Sequence, residues 1–437
     1  MSRDTLSHIL DLARWAPSGD NTQPWRFEIV DDHLIRVHGS DTRDHVLYDY
    51  AGHPSHIAHG ALLETMRIAA SGFGLATHWT VSSEGEHRNP VYDVTLAQAP
   101  ALIRDPLFDC IQTRTVQRRP MKTTPLTGTQ RQALIDAAGE SFGVQLFESW
   151  GERMKVAGLL WDSAKIRLTC PEAYPVHKAV IEWRARYSKD RIPEQAVGVD
   201  PATARLMEWV MQSWERVAFF NRYLLGTVAP RIQLDLLPAL CCAAHLLVRP
   251  QRPPAQLVDW VHLGIAVQRT WLTATNLGLH LQPQMTPVIF RWYARTGRHF
   301  STEPTLFEQA LKLSGDFEKI ANALPKDDFG FFARVGVSEL PRSRSTRLDL
   351  VALMKEIGVR FQLHESGMLK RMNHQPQTAA SGKMEWFRPL ALVTQSQVAI
   401  HYIANQCARL MPKRPSVRKC SPPTPPSPAM AMRVFLT

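Results

Sequence analysis

The sequence has no apolar run long enough to cross a bilayer. Its longest uncharged apolar stretch, Leu236 to Val248, is thirteen residues and is interrupted by Pro238 and His245, whereas a spanning helix needs about 20. It reads as a buried segment, and no membrane partner is expected. The opening MSRDTLSHIL lacks an apolar h-region and a small-residue cleavage site, so no signal peptide is expected. Cysteine is sparse, and Cys110, Cys170, Cys241, Cys242, Cys407 and Cys420 show neither metal-ligand nor disulfide spacing, which suits a reducing, cytoplasmic setting. No Walker loop, GxSxG elbow or HExxH helix occurs, which removes the commonest nucleotide, serine-hydrolase and zinc-protease signatures. Gly72-Phe73-Gly74 closes a helix and lacks the strand-to-helix setting of a dinucleotide fingerprint.

Acidic residues are scarce only at one end. From Val351 onward, twelve Lys and Arg stand against three Asp and Glu, a net of +9 within the chain's total of +11. The body is therefore nearly neutral and offers no groove for a polyanion, so nucleic acid is not an expected partner. The tail also carries SPPTPPSP at 421–428, which cannot pack a core. Residues 351–437 are thus expected to form a basic, Pro-rich, partly disordered tail. The length of 437 residues, with 44% hydrophobic and 21% charged residues, suits a soluble chain of two or three domain-sized units.

Periodicity supplies the elements. Apolar spacing predicts a helix over Asp4–Trp15, capped by Ser2 or Asp4 and closed before Pro17. A hairpin follows, with strands Trp25–Val30 and His33–His38, then a long helix over His56–Phe73 and a strand at Val91–Leu96. Further helices are expected near Pro125–Ala138, Arg153–Leu168, Tyr174–Tyr187, Pro201–Trp214, Pro254–Leu277 and Leu313–Leu324, with strands at Val144–Glu148 and Phe329–Val337. An internal echo stands out: HGALLETMRIAASGFGLATHW (59–79) is similar to LGIAVQRTWLTATNLGLHLQP (263–283). Both open a long helix with a small residue and leave it through Gly-Leu into an extended segment. Two copies suggest a duplicated domain rather than a solenoid.

The chemically informative stretch is APSGDNTQPW, Ala16 to Trp25. A helix stops at one proline, a polar turn follows, and a second proline starts a strand. Pro17, Ser18, Asn21 and Gln23 offer a rigid backbone, a hydroxyl and amides that match the edge of a flat heterocycle. The same residues read equally as a helix terminus with an Asx turn. A second stretch, Arg114-Thr115-Val116-Gln117-Arg118-Arg119-Pro120, groups guanidinium forks and a hydroxyl in a way that suits a phosphate, although charge runs are more often solvated turns. A third, FFARVGVSELPRSRSTRL, places Arg344 and Arg347, with Arg342 nearby, after a strand, where a basic surface turn is the plainer alternative.

APSGDNTQPW resembles the A-P-S-x-x-N-x-Q-P-W signature of nitroreductase-family flavoproteins, and every specified position is met. The Arg114 stretch resembles, in part, the family's R-x-S/T-x-R phosphate segment. Residues 331–348 resemble the family's C-terminal strand and basic end. The resemblance implies an α+β, nitroreductase-like fold with an FMN site. Pro17, Ser18, Asn21 and Gln23 would lie at the ring edge, and Arg114, Thr115, Arg118, Arg344 and Arg347 at the phosphate. The order of the motifs departs from a single-domain member, because the phosphate segment follows the ring loop by about ninety residues. It is similar to the Acg-like branch, whose chains look like two fused units. Residues 1–110 would then be a first half with the ring loop and 111–350 a second, unequal half with the phosphate arm. One site would be competent and one degenerate, in a monomer with an internal pseudo-dimer or a homodimer of it. The implied activity passes electrons from NADH or NADPH through FMN to a small organic acceptor, with no side-chain acid or base required. The alternative is an FMN-sequestering protein with little turnover, covered by the long segment between 150 and 235. His53, His56 and His59 lack a completing ligand, so no metal is expected. Cys241-Cys242 reads as a buried apolar pair.

Overall fold

The computed structural model describes residues 1–82 and 84–355; the Pro-rich run, Cys407 and Cys420 lie outside the described residues. Helix α1, Arg3–Ala13, is capped by Ser2, whose hydroxyl accepts from Thr5 N–H at 3.1 Å, and buries Leu6, Ile9, Leu10 and Ala13. The Ser/Thr cap and the apolar stripe account for its start and its inward face. Strands β1 (Trp25–Ile29) and β2 (Leu34–Gly39) form the expected antiparallel hairpin. Helix α2, His53–Ser71, follows, then β3 (Leu75–Val81) and β4 (Val91–Gln98). This sheet is antiparallel throughout, in the order β1-β2-β4-β3.

The second half repeats the plan. Helix α3 (Gly128–Ala137) begins with a capping box from Thr127 and Gln130. Strand β5 is Phe142–Phe147, and α4 (Trp150–Thr169) starts on a second capping box, Ser149 and Glu152. A long excursion carries α5 (Tyr174–Val180), α6 (Pro201–Val210) and α7 (Trp214–Tyr223). The chain returns as β6 (Ala244–Pro250), α8 (Leu257–Asn276) and β7 (His280–Pro283), then α9 (Thr286–Arg295), α10 (Pro304–Ala321) and β8 (Phe331–Gly336). Its antiparallel sheet has the order β5-β6-β8-β7. Strand, strand, helix, strand, strand therefore pair in the same sequence in both sheets.

The two long helices pack on each other at Gly60 and Gly264. A Cβ on Gly60 would stand 1.9 Å from the Val261 carbonyl oxygen, and one on Gly264 would stand 2.0 Å from that of Ile57. Each glycine meets the residue three positions before the other, so the contact is reciprocal. The echo seen in the sequence aligns these same two glycines. The cores interlock as well: Val261 and Leu272 of α8 join the core of the first sheet, and Tyr50 and Ile57 join that of the second.

Three differences from the expected pattern have local causes. The helix expected over Tyr174–Tyr187 stops at Val180, because Ile181-Glu182 pairs with Ile192-Pro193 and Arg184 takes a φ of 61°. Strand β6 was not read as an element because its buried run, Ala244–Val248, carries no polar alternation to betray a period; helix α9, Thr286–Arg295, was not read either. The folded body also runs past 350, since Leu353 is fully buried and Met354 bridges Phe27 beside β1.

Candidate functional site

A cavity of about 1030 Å³ lies between the loop after α1, the crossing helices, the segment at 114–118, the end of β7 and the excursion α5–α7. Helix α1 ends because Pro17 cannot continue it. The chain then turns through Asp20, Asn21 and Gln23 with φ of 50°, 65° and 50°. Such left-handed non-glycine residues each cost about 1 kcal/mol or more and persist only where their surroundings overdetermine them. The bracing is visible. Gln23 N–H donates to Ser18 Oγ at 2.9 Å, and Gln23 Nε2 donates to the Asn21 and Lys189 carbonyls at 3.0 and 2.9 Å. Gln23 Oε1 accepts from Leu348 N–H at 2.9 Å.

Gln23 is thus a brace within the loop and not part of the cavity wall, unlike Pro17, Ser18 and Asn21, which line it. Asn21 Nδ2 reaches the Arg191 carbonyl at 3.4 Å, while its Oδ1 is buried without a partner. Asp20, unremarked in the sequence, also lines the cavity. Burial pushes its carboxyl pKa up against the opposing pull of Arg118 and Arg167.

The wall beside this loop is cationic. Arg114, Thr115, Arg118, Arg344 and Arg347, drawn from two distant stretches of chain, all line the cavity. Arg114 and Arg347 are buried, and the hydrogen bonds of Arg114, Arg344 and Arg347 go to backbone carbonyls. Burial and then repulsion from Arg347 and Arg344 drive the Arg114 guanidinium well below its usual pKa. Burial and then Arg344 and Arg14 lower that of Arg347 to about 9. The Nε groups of Arg114 and Arg344 are buried without partners. Arg114 also lies over the Trp271 ring, 4.6 Å from its centroid. Clustered, desolvated cations with unused donors form a site that a multiply charged oxyanion would satisfy. Arg118 stands apart from the trio, donating to the Ala196 carbonyl at 3.4 Å and facing Asp20.

The roof is the excursion between α4 and β6. Met207, Trp214, Val217 and Phe220 turn into the cavity, while Phe219 and Tyr223 on α7 are exposed. No residue of α7 is buried, and the roof's own core is confined to Ile181, Val197, Val199 and Ala204. Many polar ties join it to the body, among them Gln23 Nε2 to the Lys189 carbonyl, Lys189 Nζ to Asp349 and Ser301 Oγ to Glu172. Tyr48 Oη lies 2.7 Å from Nε2 of His177, and Tyr187-Ser188 pairs with Arg344-Ser345. Burial raises the Tyr48 pKa and lowers that of His177 to about 3, so both are neutral at this contact. Neither residue is singled out by any local pattern, because they lie 129 positions apart.

Residues 1–54 match the sequence profile of the Nitroreductase family. An uncharacterised protein of Mycobacterium tuberculosis (strain CDC 1551 / Oshkosh) is 25% identical over 325 residues, which covers 72% of this chain and 43% of that protein. The chain thus spans less than half of that relative's length. Among solved structures, a nitroreductase-like family protein from Bacillus cereus overlays with a TM-score of 0.30 at 12% identity, over 58% of this chain and 97% of that one. The FMN-dependent nitroreductase NfnB from Mycobacterium smegmatis, solved in complex with NADPH, overlays with a TM-score of 0.31 at 12% identity, over 56% and 95%. Overlaps this loose leave the architecture resting on the chain's own strand order and helix packing. The match to the nitroreductase family lies in the stretch that builds the loop at the cavity.

Proposed function

We propose that the chain is an FMN-dependent oxidoreductase of the nitroreductase type, passing electrons from NADH or NADPH to a small organic acceptor. The observation that carries this reading is the convergence of buried Arg114 and Arg347 with partly buried Arg344, all three without carboxylate partners, beside the loop of Pro17, Ser18 and Asn21. The residues fit the cofactor. Unused Nε donors and mutually repelling guanidiniums suit a phosphate of nearly two negative charges. The unpartnered Asn21 Oδ1 suits a ring N–H. Bound there, FMN would supply the electron-transfer chemistry itself. The chain's part is to hold the phosphate with the three arginines, orient the ring edge with Ser18 and Asn21, and exclude water with Met207, Trp214 and Phe220. We further propose that the two halves, 1–110 and 111–350, are fused units, of which the first supplies the loop and the second the arginines.

An absorbance spectrum of the purified full chain, with identification of any released chromophore, tests this reading. Bands near about 370 and 450 nm and FMN at one per chain are expected; a colourless protein that does not take up added FMN would overturn it. The second reading, sequestration of FMN with little turnover, draws its support from the apolar roof. Rapid mixing with excess NADH or NADPH separates the two, because a yellow colour that persists for minutes excludes the oxidoreductase and bleaching excludes simple storage.

A further inference from the structure

A second cleft, of about 580 Å³, opens between β3, α2 and α8. It corresponds to the main cavity when Gly60 is paired with Gly264. Under that pairing Val258, His262 and Ile265 stand where Pro54, Ala58 and Ala61 line the cavity. Leu63 and Arg67 stand where Val267 and Trp271 do, and His78 to Val81 run where Gln282 to Met285 run. Apart from Glu64 and Thr77, every residue lining the cleft has such a counterpart. The reciprocal packing of α2 on α8 therefore builds two equivalent floors, and only one of them lies under the proposed flavin site.

The cleft lacks what would hold a phosphate. The loop after α3 is only Ala138 to Ser141, against Arg14 to Pro24 after α1. Where Trp271 carries Arg114 on its face, the cleft has Arg67, already paired with Glu64 at 2.8 Å and Asp105 at 2.6 Å. Arg269 closes the same network on Glu64 at 2.8 Å, so the charges here are neutralised from within. What remains is apolar and aromatic: Leu63, Val258 and Ile265 form one wall, and Trp79 with His262, ring centroids 5.4 Å apart, forms another.

The cleft also follows a strand edge. Thr77 to Val81 line it without a gap, so it runs along the rim of β3, the outermost strand of its sheet. The counterpart edge, β7, is bridged at Leu281 by Val116, whereas Thr77, the counterpart of Leu281, has no such bridge among the described residues. Alternate N–H and C=O groups of an outer antiparallel strand point away from its partner. They are placed to meet the polar edge of a ring.

We infer that this cleft is a second binding site, for a flat, uncharged heteroaromatic ring without a phosphate. The volume falls within the range of about 300–1,000 Å³ usual for small-molecule sites. Stacking on Trp79 and His262 supplies the affinity, and the β3 edge supplies direction. The choice of ring class rests on the flavin reading of the main cavity; the existence of the cleft does not.

The test is titration of the FMN-loaded full chain with lumichrome, an alloxazine ring with neither ribityl chain nor phosphate, read by calorimetry. One equivalent is expected to bind, at least tenfold more weakly in Trp79→Ala and in His262→Ala, with FMN content unchanged in both. Because Trp79 is only partly buried and His262 is exposed, both variants are expected to fold. Arg114→Ala should lose FMN yet keep the Trp79-dependent lumichrome site, which separates this proposal from the flavin reading. No binding to the FMN-loaded chain, or binding indifferent to both Trp79→Ala and His262→Ala, would overturn it. A chain that never takes FMN but binds lumichrome through Trp79 would sink the flavin reading and leave the cleft standing.

Discussion

The two faces of the crossed helices share a scaffold and differ in nearly everything attached to it. Both sheets pair in one order, and both helices meet through a glycine against a carbonyl. Yet one face has a strained loop, a trio of converging arginines and a roof, while the other has a short turn and a closed ion-pair network. Chemistry resides in loops and chain ends, and the packed core only sets where they converge. The crossed helices present two equivalent floors, and the local additions decide which one is furnished.

The shared scaffold gives the largest expected effect. Gly60→Ala and Gly264→Ala each force a methyl group to within about 2 Å of a carbonyl oxygen on the facing helix, and backbone yields poorly. Each should destabilise the chain by roughly 3 kcal/mol, the upper end of overpacking penalties, as read from urea unfolding midpoints. If only one of them is costly, the reciprocity of the two halves is broken. The furnished face gives the next effect. Arg114→Ala should weaken FMN binding by about 10- to 100-fold, the worth of a charge-assisted hydrogen bond. Arg67→Ala, at the position of Trp271 on the other face, should leave FMN content unchanged. Equal losses in both would mean that the two faces share one ligand.

A third contrast concerns histidine. Helix α2 buries His56 and His59 and partly buries His53, and their counterparts on α8 are Trp260, Leu263 and Leu257. Burial lowers the pKa values of His53, His56 and His59 to about 3, 2 and 4, helped at His53 and His56 by neighbouring cations and opposed at His59 by its bond to the Pro24 carbonyl and by Asp49. The unfolded chain protonates them near 6.5, so below that value it binds more protons than the folded one. Stability is therefore whole above about pH 6.5 and declines as the pH falls toward about 4. Both ring nitrogens of His56 lack partners, so His56→Leu should cost little at pH 7.5 and flatten the decline. Parallel denaturation curves for the parent and the variant at pH 7.5 and pH 5 would refute this.

Much of this contrast was legible in the sequence, and the rest was hidden for physical reasons. The echo aligned Gly60 with Gly264 before any contact was known, because helix rhythm and a Gly-Leu exit are local features. Arg114 and Arg118 stand out by their guanidinium forks, and Arg344 and Arg347 by the resemblance of their stretch to the family's basic end; the cavity wall includes all four. Gln23 shows the limit: its type suits a ring edge, but the left-handed turn around it turns its amide toward Lys189 and Leu348. Asp20 was passed over because burial of a charge leaves no mark in the sequence. The second cleft could not be read at all, since it is defined by the packing of β3 against a helix nearly two hundred residues away.

The smallest effect expected belongs to the roof, and it isolates the roof from both floors. Tyr48 belongs to the body and His177 to α5, and their 2.7 Å contact is one of several polar ties between roof and body. Tyr48→Phe keeps the ring, and with it the stacking on His177 at 5.7 Å between centroids, while removing the hydrogen bond. The loss of about 1 kcal/mol usual for such a bond falls on a segment whose own core is four residues. Local opening draws on the least stable parts of a fold, so the cost should appear as easier opening, with little change in global unfolding. FMN release, followed by recovery of its fluorescence on dilution, should be about fivefold faster, while binding in the β3 cleft stays as it was. A variant that releases FMN at the parent's rate would mean that the roof opens elsewhere, with the strand pair at Tyr187 and Arg344 the next hinge to examine.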